Sequence, residues 1–221
     1  MLGNIEIFFA ENPNTPPRTT KNMTFEERKA NWDKRIEKAK EQATIEIVPY
    51  CQVFSYINDF FTKMMPESDE SNNKRRCDII SLDDDNQAII LDNGIIAQGY
   101  NWIGPKWNEK ERKYTKWDPK YNVIQERFRL NYPSDIIWMK FTKKHHLGVV
   151  AKSFDINYRL DNTSGKLVTE NDDKWDDSFV FIFPLTEDIL NGRKTGEIER
   201  AVGNYLIAKG VPIIDFYSHN Y

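Results

Sequence analysis

The sequence predicts an α+β domain, with an N-terminal helical layer packed on a mainly antiparallel sheet and closed by a C-terminal helix–strand unit. Three observations predict it. Apolar residues recur at helical spacing from 24 to 65, in short strand-like runs from 77 onward, and at helical spacing again just before the last apolar run. A chain of 221 residues is long enough for one large core, and neither an internal repeat nor a second core-sized segment is visible. The expected division is an extended arm over 1–23 and a single domain over 24–221, with a helical part at 24–65, a mobile loop at 66–76 and a sheet-rich part at 77–221.

In the arm, Ile5, Ile7 and Phe9 alternate, which suits a short strand or an extended segment. Pro13, Pro16 and Pro17 then force an open connection, and the arm has too little apolar periodicity to dock itself. Thr24 and Glu27 have capping-box spacing, and Phe25, Trp32, Ile36, Ala39 and Ala43 mark one face of a helix running to about 46. Pro49 interrupts it, after which Tyr50, Val53, Phe54, Ile57, Phe60, Phe61, Met64 and Met65 line one face of a second helix or a kinked continuation, the two helical segments being expected to stack.

Residues 66–76 contain no aliphatic or aromatic side chain and read as a loop. Short apolar runs at 79–80, 88–91 and 95–100, separated by turn-forming Asp, Asn and Gly, predict a three-stranded meander. The remainder parses as a helix or strand at 123–130, strands at 135–141, 147–160 and 178–185, a helix at 186–209 capped by Gly210, and a strand at 211–217. Asn191, Gly192 and Gly196 split a short first turn from the body of that helix.

Composition excludes some functions. A net charge of −3 argues against a surface built throughout for nucleic acid or anionic lipid, so any such contact is local. Two cysteines, Cys51 and Cys77, make no disulfide framework and no zinc motif, which points to a reducing cytoplasm. No stretch approaches the roughly 18 consecutive apolar residues of a membrane span, so no membrane partner is expected.

The strongest local signal is 100–132, where eight cations face four carboxylates in an otherwise acidic chain. Its binding candidates are Trp102, Trp107, Arg112, Lys113, Tyr114, Trp117, Arg127 and Arg129. Rings stack bases while cations track phosphates, so the mixture suits single-stranded nucleic acid. Trp, Tyr and Arg also dominate the hot spots of protein interfaces. The bland account is a hairpin whose rings cover the core. Downstream, 161–188 carries Asp161, Glu170, Asp172, Asp173, Asp176, Asp177, Glu187 and Asp188 against two lysines, which reads as a solvated loop or as the complement of the basic strip in head-to-tail association.

Catalytic motifs are sparse. His145 and His146 fall in a hairpin turn, where adjacent side chains point apart and do not share a metal. Asp215, Tyr217 and His219 share one face of the final strand, a carboxylate–histidine pairing without a nucleophile signature. The element order from about 120 to 217 is compatible with the core of the PD-(D/E)xK nucleases, in which carboxylates and a lysine hold a divalent ion such as Mg2+ and orient water. Glu126, Asp135 and Lys152 are its candidates, but Val150 stands where the second acid belongs.

These readings favour a non-enzymatic binding or assembly protein that needs no cofactor and takes a protein partner or a second copy of itself. High Lys, Ile and Asn usage suits an AT-rich genome and so a lineage-specific protein of a bacterium, phage or mobile element, and the function expected is that of a cytoplasmic subunit of a larger complex of phage or mobile-element type. The alternatives are a metal-dependent nuclease and a single-stranded nucleic-acid-binding module.

Overall fold

The computed structural model describes residues 5–10, 23–64, 80–81, 88–90, 95–98, 107–114, 135–154, 162–176, 179–185 and 190–215. The helical spacing forms α1 (Phe25–Ala43) and α2 (Tyr50–Met64). The capping box is present: Glu27 N donates to Thr24 Oγ1 at 3.2 Å, and Thr24 N donates to Glu27 Oε2 at 2.7 Å. Pro49 immediately precedes α2 and its carbonyl accepts from Gln52 N and Val53 N, a position where a missing N–H costs nothing.

The strands β1 (Ile80–Ser81), β2 (Ala88–Ile90) and β3 (Ile95–Gln98) form the expected meander. A separate two-stranded ribbon joins β4 (Trp107–Asn108) to β5 (Lys113–Tyr114). Next come β6 (Asp135–Phe141), β7 (Leu147–Phe154), α3 (Asn162–Thr169), β8 (Phe179–Pro184), α4 (Thr195–Ala208) and β9 (Ile213–Asp215). The main sheet has the order β1-β2-β3-β8-β6-β7-β9 and is antiparallel except where β9 runs parallel to β7.

Helices cover both faces. The larger cluster joins Val53, Ile57, Phe60 and Phe61 of α2 and Ile198, Val202, Tyr205 and Leu206 of α4 to Ile137, Met139, Val150, Phe181 and Phe183 of the sheet. The smaller joins Ala39 of α1, Leu167 and Val168 of α3, and Ile214. Ile213 belongs to the first cluster and Ile214 to the second, as alternating side chains of one strand require. The two N-terminal helices therefore serve different clusters instead of stacking on one another.

Two local expectations are corrected. Residues 5–9 form a 3-10 turn, η1 (Ile5–Phe9), rather than a strand, because Phe8 turns inward and is buried. The acidic stretch contains a helix, α3, whose Leu167 and Val168 are buried, so it is not simply a solvated loop. The expected split of the last helix is present: Leu190 is helical, Asn191 and Gly192 then take positive φ, 44° and 76°, and the main body, α4, starts at Thr195, while residues 186–189 lie outside the described residues. Gly210 caps it as expected, at φ 81°, with Val211 N donating to Leu206 O and Gly210 N to Ile207 O in a Schellman motif. The element expected at 123–130 and the loop at 66–76 lie outside the described residues.

The β6–β7 hairpin contains a bulge. Lys140 pairs with Val149 and Phe141 with Leu147, which leaves Gly148 as the extra residue. A Cβ at Gly148 would stand 2.3 Å from Trp175 Cζ3 and 3.2 Å from Lys140 O. Gly148→Ala must therefore displace the indole, and we expect a loss of about 1–3 kcal/mol in urea unfolding, with an unchanged m-value. A loss below about 0.3 kcal/mol would show that Trp175 moves freely.

Candidate functional site

Of the eight binding candidates, Trp107, Arg112, Lys113 and Tyr114 fall on the described ribbon, whereas Trp102, Trp117, Arg127 and Arg129 lie outside the described residues. Trp107 and Tyr114 occupy opposed positions, as do Asn108 and Lys113. The turn is built by Asn108, whose Oδ1 accepts from Lys110 N at 3.1 Å and Glu111 N at 3.2 Å. Arg112 takes φ 50°, and Lys113 Nζ meets Glu111 Oε2 at 2.9 Å on an exposed surface. The tip, residues 109–113, is exposed.

The nuclease candidates are partly brought together. Asp135 pairs with Phe154 and Ile137 with Lys152, so Asp135 and Lys152 are diagonal neighbours on one face of the hairpin. Val150 is opposite Met139 in the large cluster and supplies no ligand. Lys152 lies along the first turn of α4, its Nζ 3.8 Å from where a Cβ on Gly196 would be. Glu126 lies outside the described residues, and among those residues no group of three His, Cys, Asp or Glu side chains is placed to hold a metal.

His145 and His146 diverge as expected. His145, at φ 68°, has Nδ1 2.7 Å from the Tyr50 hydroxyl, whereas His146 is buried with Nδ1 3.5 Å from Asp173 Oδ2. Asp215 is committed to other partners, accepting from Arg35 Nη2 and Ser164 Oγ, each at 2.6 Å. Tyr217 and His219 lie outside the described residues.

The groove between α2 and α4 is a constellation that sequence reasoning missed. The Tyr205 phenol donates to Asp59 Oδ2, which also accepts from Lys63 Nζ at 2.7 Å. Lys209 Nζ lies 5.3 Å from the Tyr56 and Tyr205 ring centroids. Burial, reinforced by the Asp59 carboxylate, pushes the Tyr205 phenol well above the usual tyrosine range. Burial alone would raise the Asp59 carboxyl, but the hydrogen bonds from Lys63 and Tyr205 outweigh it and hold it below its usual value. Asp59 and Lys63 are legible as an i,i+4 pair, whereas nothing local in the sequence ties either to a tyrosine on the other helix.

The same groove holds η1. Arg193 Nη2 donates to both Glu6 oxygens at 2.6–2.7 Å and its guanidinium lies 3.9 Å from the Phe9 ring centroid. Arg200 donates to Phe9 O at 3.1 Å and Asn204 to Phe8 O at 2.9 Å, while the Phe8 ring meets Tyr205 edge-on. Burying Phe8 contributes about 1.5–3 kcal/mol. The two carbonyl bonds add about 0.5–1.5 kcal/mol each and the exposed ion pair about 0–1 kcal/mol. Ordering five residues costs about 1–2 kcal/mol apiece, so the two sides cancel to within a few kcal/mol and the docked arm is only marginally held.

Comparison with protein-family models, with curated proteins and with solved structures finds no match. What this chain does must be read from its own surfaces.

Tyr205→Phe removes the phenol from Asp59, a side chain that is itself 40% exposed, and should destabilise by about 0.5–1.5 kcal/mol at pH 7. A lowered carboxyl contributes stability above its unfolded value that is lost as pH falls through the folded one, and a raised phenol contributes stability below its unfolded value that is lost as pH rises through the folded one. The difference between wild type and Tyr205→Phe, measured by urea unfolding, should therefore be flat between about pH 5 and 9 and shrink below pH 4. A difference that grows on acidification would exclude the Asp59 contact as its source.

Proposed function

We propose that this chain is a non-enzymatic binding or assembly protein, a cytoplasmic subunit of a larger complex of the phage or mobile-element kind. It meets a protein partner or a second copy of itself through 100–132 and the N-terminal arm. The observation that carries this reading is the β4–β5 ribbon, which pairs only with itself among the described strands. It exposes 109–113 and has its turn fixed by the Asn108 side chain. A loop already ordered in the free protein loses less entropy on binding, and a tip flanked by opposed Trp107 and Tyr114 has the residue types of interface hot spots.

A metal-dependent nuclease is the second reading. It is favoured by the shared face of Asp135 and Lys152 and weakened by the apolar core position of Val150. No helix among the described residues is long and apolar enough to cross a membrane.

The test is sedimentation of the full chain over a range of concentrations, with Trp107→Ala and Lys113→Ala compared. Trp107→Ala should weaken association at least tenfold, about 1.4 kcal/mol, and Lys113→Ala much less. Oligonucleotide anisotropy at two salt concentrations completes it, because phosphate contacts make affinity fall steeply with salt. A wild-type chain that stays monomeric at every concentration, and binds an oligonucleotide in a salt-steep way, would move the function to nucleic acid.

A further inference from the structure

We propose that the α2–α4 groove is an exchange site, which takes residues 5–9 of a second copy of the chain in place of its own, so that two protomers swap N-terminal arms. This deepens the assembly reading above and rests on it. The groove is chemically specific for that segment. Arg193 takes the Glu6 carboxylate and stacks on Phe9, Tyr205 takes the edge of Phe8, and Arg200 and Asn204 bind two consecutive backbone carbonyls. All of these contacts are made by residues 6–9 themselves, so they are the same whichever chain supplies the arm.

Three observations favour the second copy. The arm is marginally held, because only Phe8 is fully buried while Glu6 and Ile7 are exposed. The arm and the helix that follows it serve opposite faces of the sheet, η1 sitting with α2 and α4 and α1 packing with α3. Lastly, the bonds from Arg200 to Phe9 and from Asn204 to Phe8 run the arm antiparallel to α4, which carries Ile7 toward the turn that holds Ile207. Both are exposed, at 58% and 37%, and they extend the apolar strip onto a surface that a second protomer covers.

The test uses two full-length variants, Glu6→Arg and Arg193→Glu, each also carrying Trp107→Ala so that association through the ribbon does not enter the masses. In either variant alone, like charges meet at the groove whichever chain supplies the arm. In a mixture each arm finds its opposite charge only on the other variant. Light scattering should give single-chain mass for each variant alone and twice that mass for the mixture, and adding Phe8→Ala to both chains should abolish the doubling. A mixture that keeps single-chain mass overturns the proposal, and so does a single variant that dimerises unaided. Should either variant fail to fold by circular dichroism, Glu6→Cys and Arg193→Cys chains carrying Trp107→Ala, Cys51→Ser and Cys77→Ser are mixed and oxidised. A disulfide joining the two different chains supports exchange, and its absence overturns it. Trp107 is replaced in every chain used here, so a failure concerns the arm alone and leaves the separate Trp107 test of the ribbon standing.

Discussion

Every residue of β6 from 136 to 141 is buried, Lys140 included, and the rest of the architecture follows from that double burial. A strand with two apolar faces needs a helical layer on each side, as strands of doubly covered sheets do. The chain meets this by sending neighbouring helices to different faces: α2 and α4 to one, α1 and α3 to the other. The parallel pairing of β9 with β7 is part of the same solution, since the path from one to the other passes through α3, β8 and α4 and so lays a helix on each face.

The sheet still has an open edge at β9, two strands beyond β6, where unpaired backbone groups would invite another chain. That edge is occupied by α1. Gln42 Oε1 accepts from Ile213 N at 3.1 Å, and Arg35 pairs with Asp215 two residues further along the strand. A second polar clasp holds the turn of the β6–β7 hairpin. Buried Asp173 accepts from Lys144 N and Lys174 N, and although burial alone would raise its carboxyl, those hydrogen bonds with Thr142 and His146 hold it below the usual range. These polar groups fix where the covering helix and the turn sit while the apolar clusters supply the bulk of the burial.

What was legible in the sequence is what local chemistry decides. Thr24 with Glu27 sets a helix start, Pro49 a restart and Gly210 a stop, because each acts through backbone groups within four residues of itself. The meander was legible for the same reason, since its turns are marked by Asp, Asn and Gly. The failures share a cause of the opposite kind. Ile5, Ile7 and Phe9 alternate like a strand, yet the conformation is chosen by a groove formed nearly two hundred residues later, where Tyr205 receives Phe8. In α3, Gly165 and four hydroxyl or amide side chains give weak helical propensity, and tertiary burial of Leu167 and Val168 prevails. Asp173 reads as one more surface carboxylate until the His146 turn is folded against it. Of the ribbon, the residue types were legible but not the Asn108 turn that orders them.

The two surfaces singled out above differ in what the core requires of them. The β4–β5 ribbon lies outside the seven-stranded sheet, so its order does not come from that sheet's hydrogen-bond ladder, and its own pairing and the Asn108 turn support it. The α2–α4 groove is the reverse case. Phe60 and Tyr205 would be in place to pack the two helices together even with no arm present, since both belong to the large cluster. What the core does not require is the outer layer of that groove: the Arg193 fork on Glu6, the Arg200 and Asn204 side chains aimed at main-chain carbonyls, and Lys209 over two rings. Side chains that read another segment's backbone are specific for a peptide in a fixed direction, whereas apolar packing alone would accept many orientations. A groove whose interior is structural and whose rim is selective needs only a change of the segment lying in it to become an interface, with no change of fold.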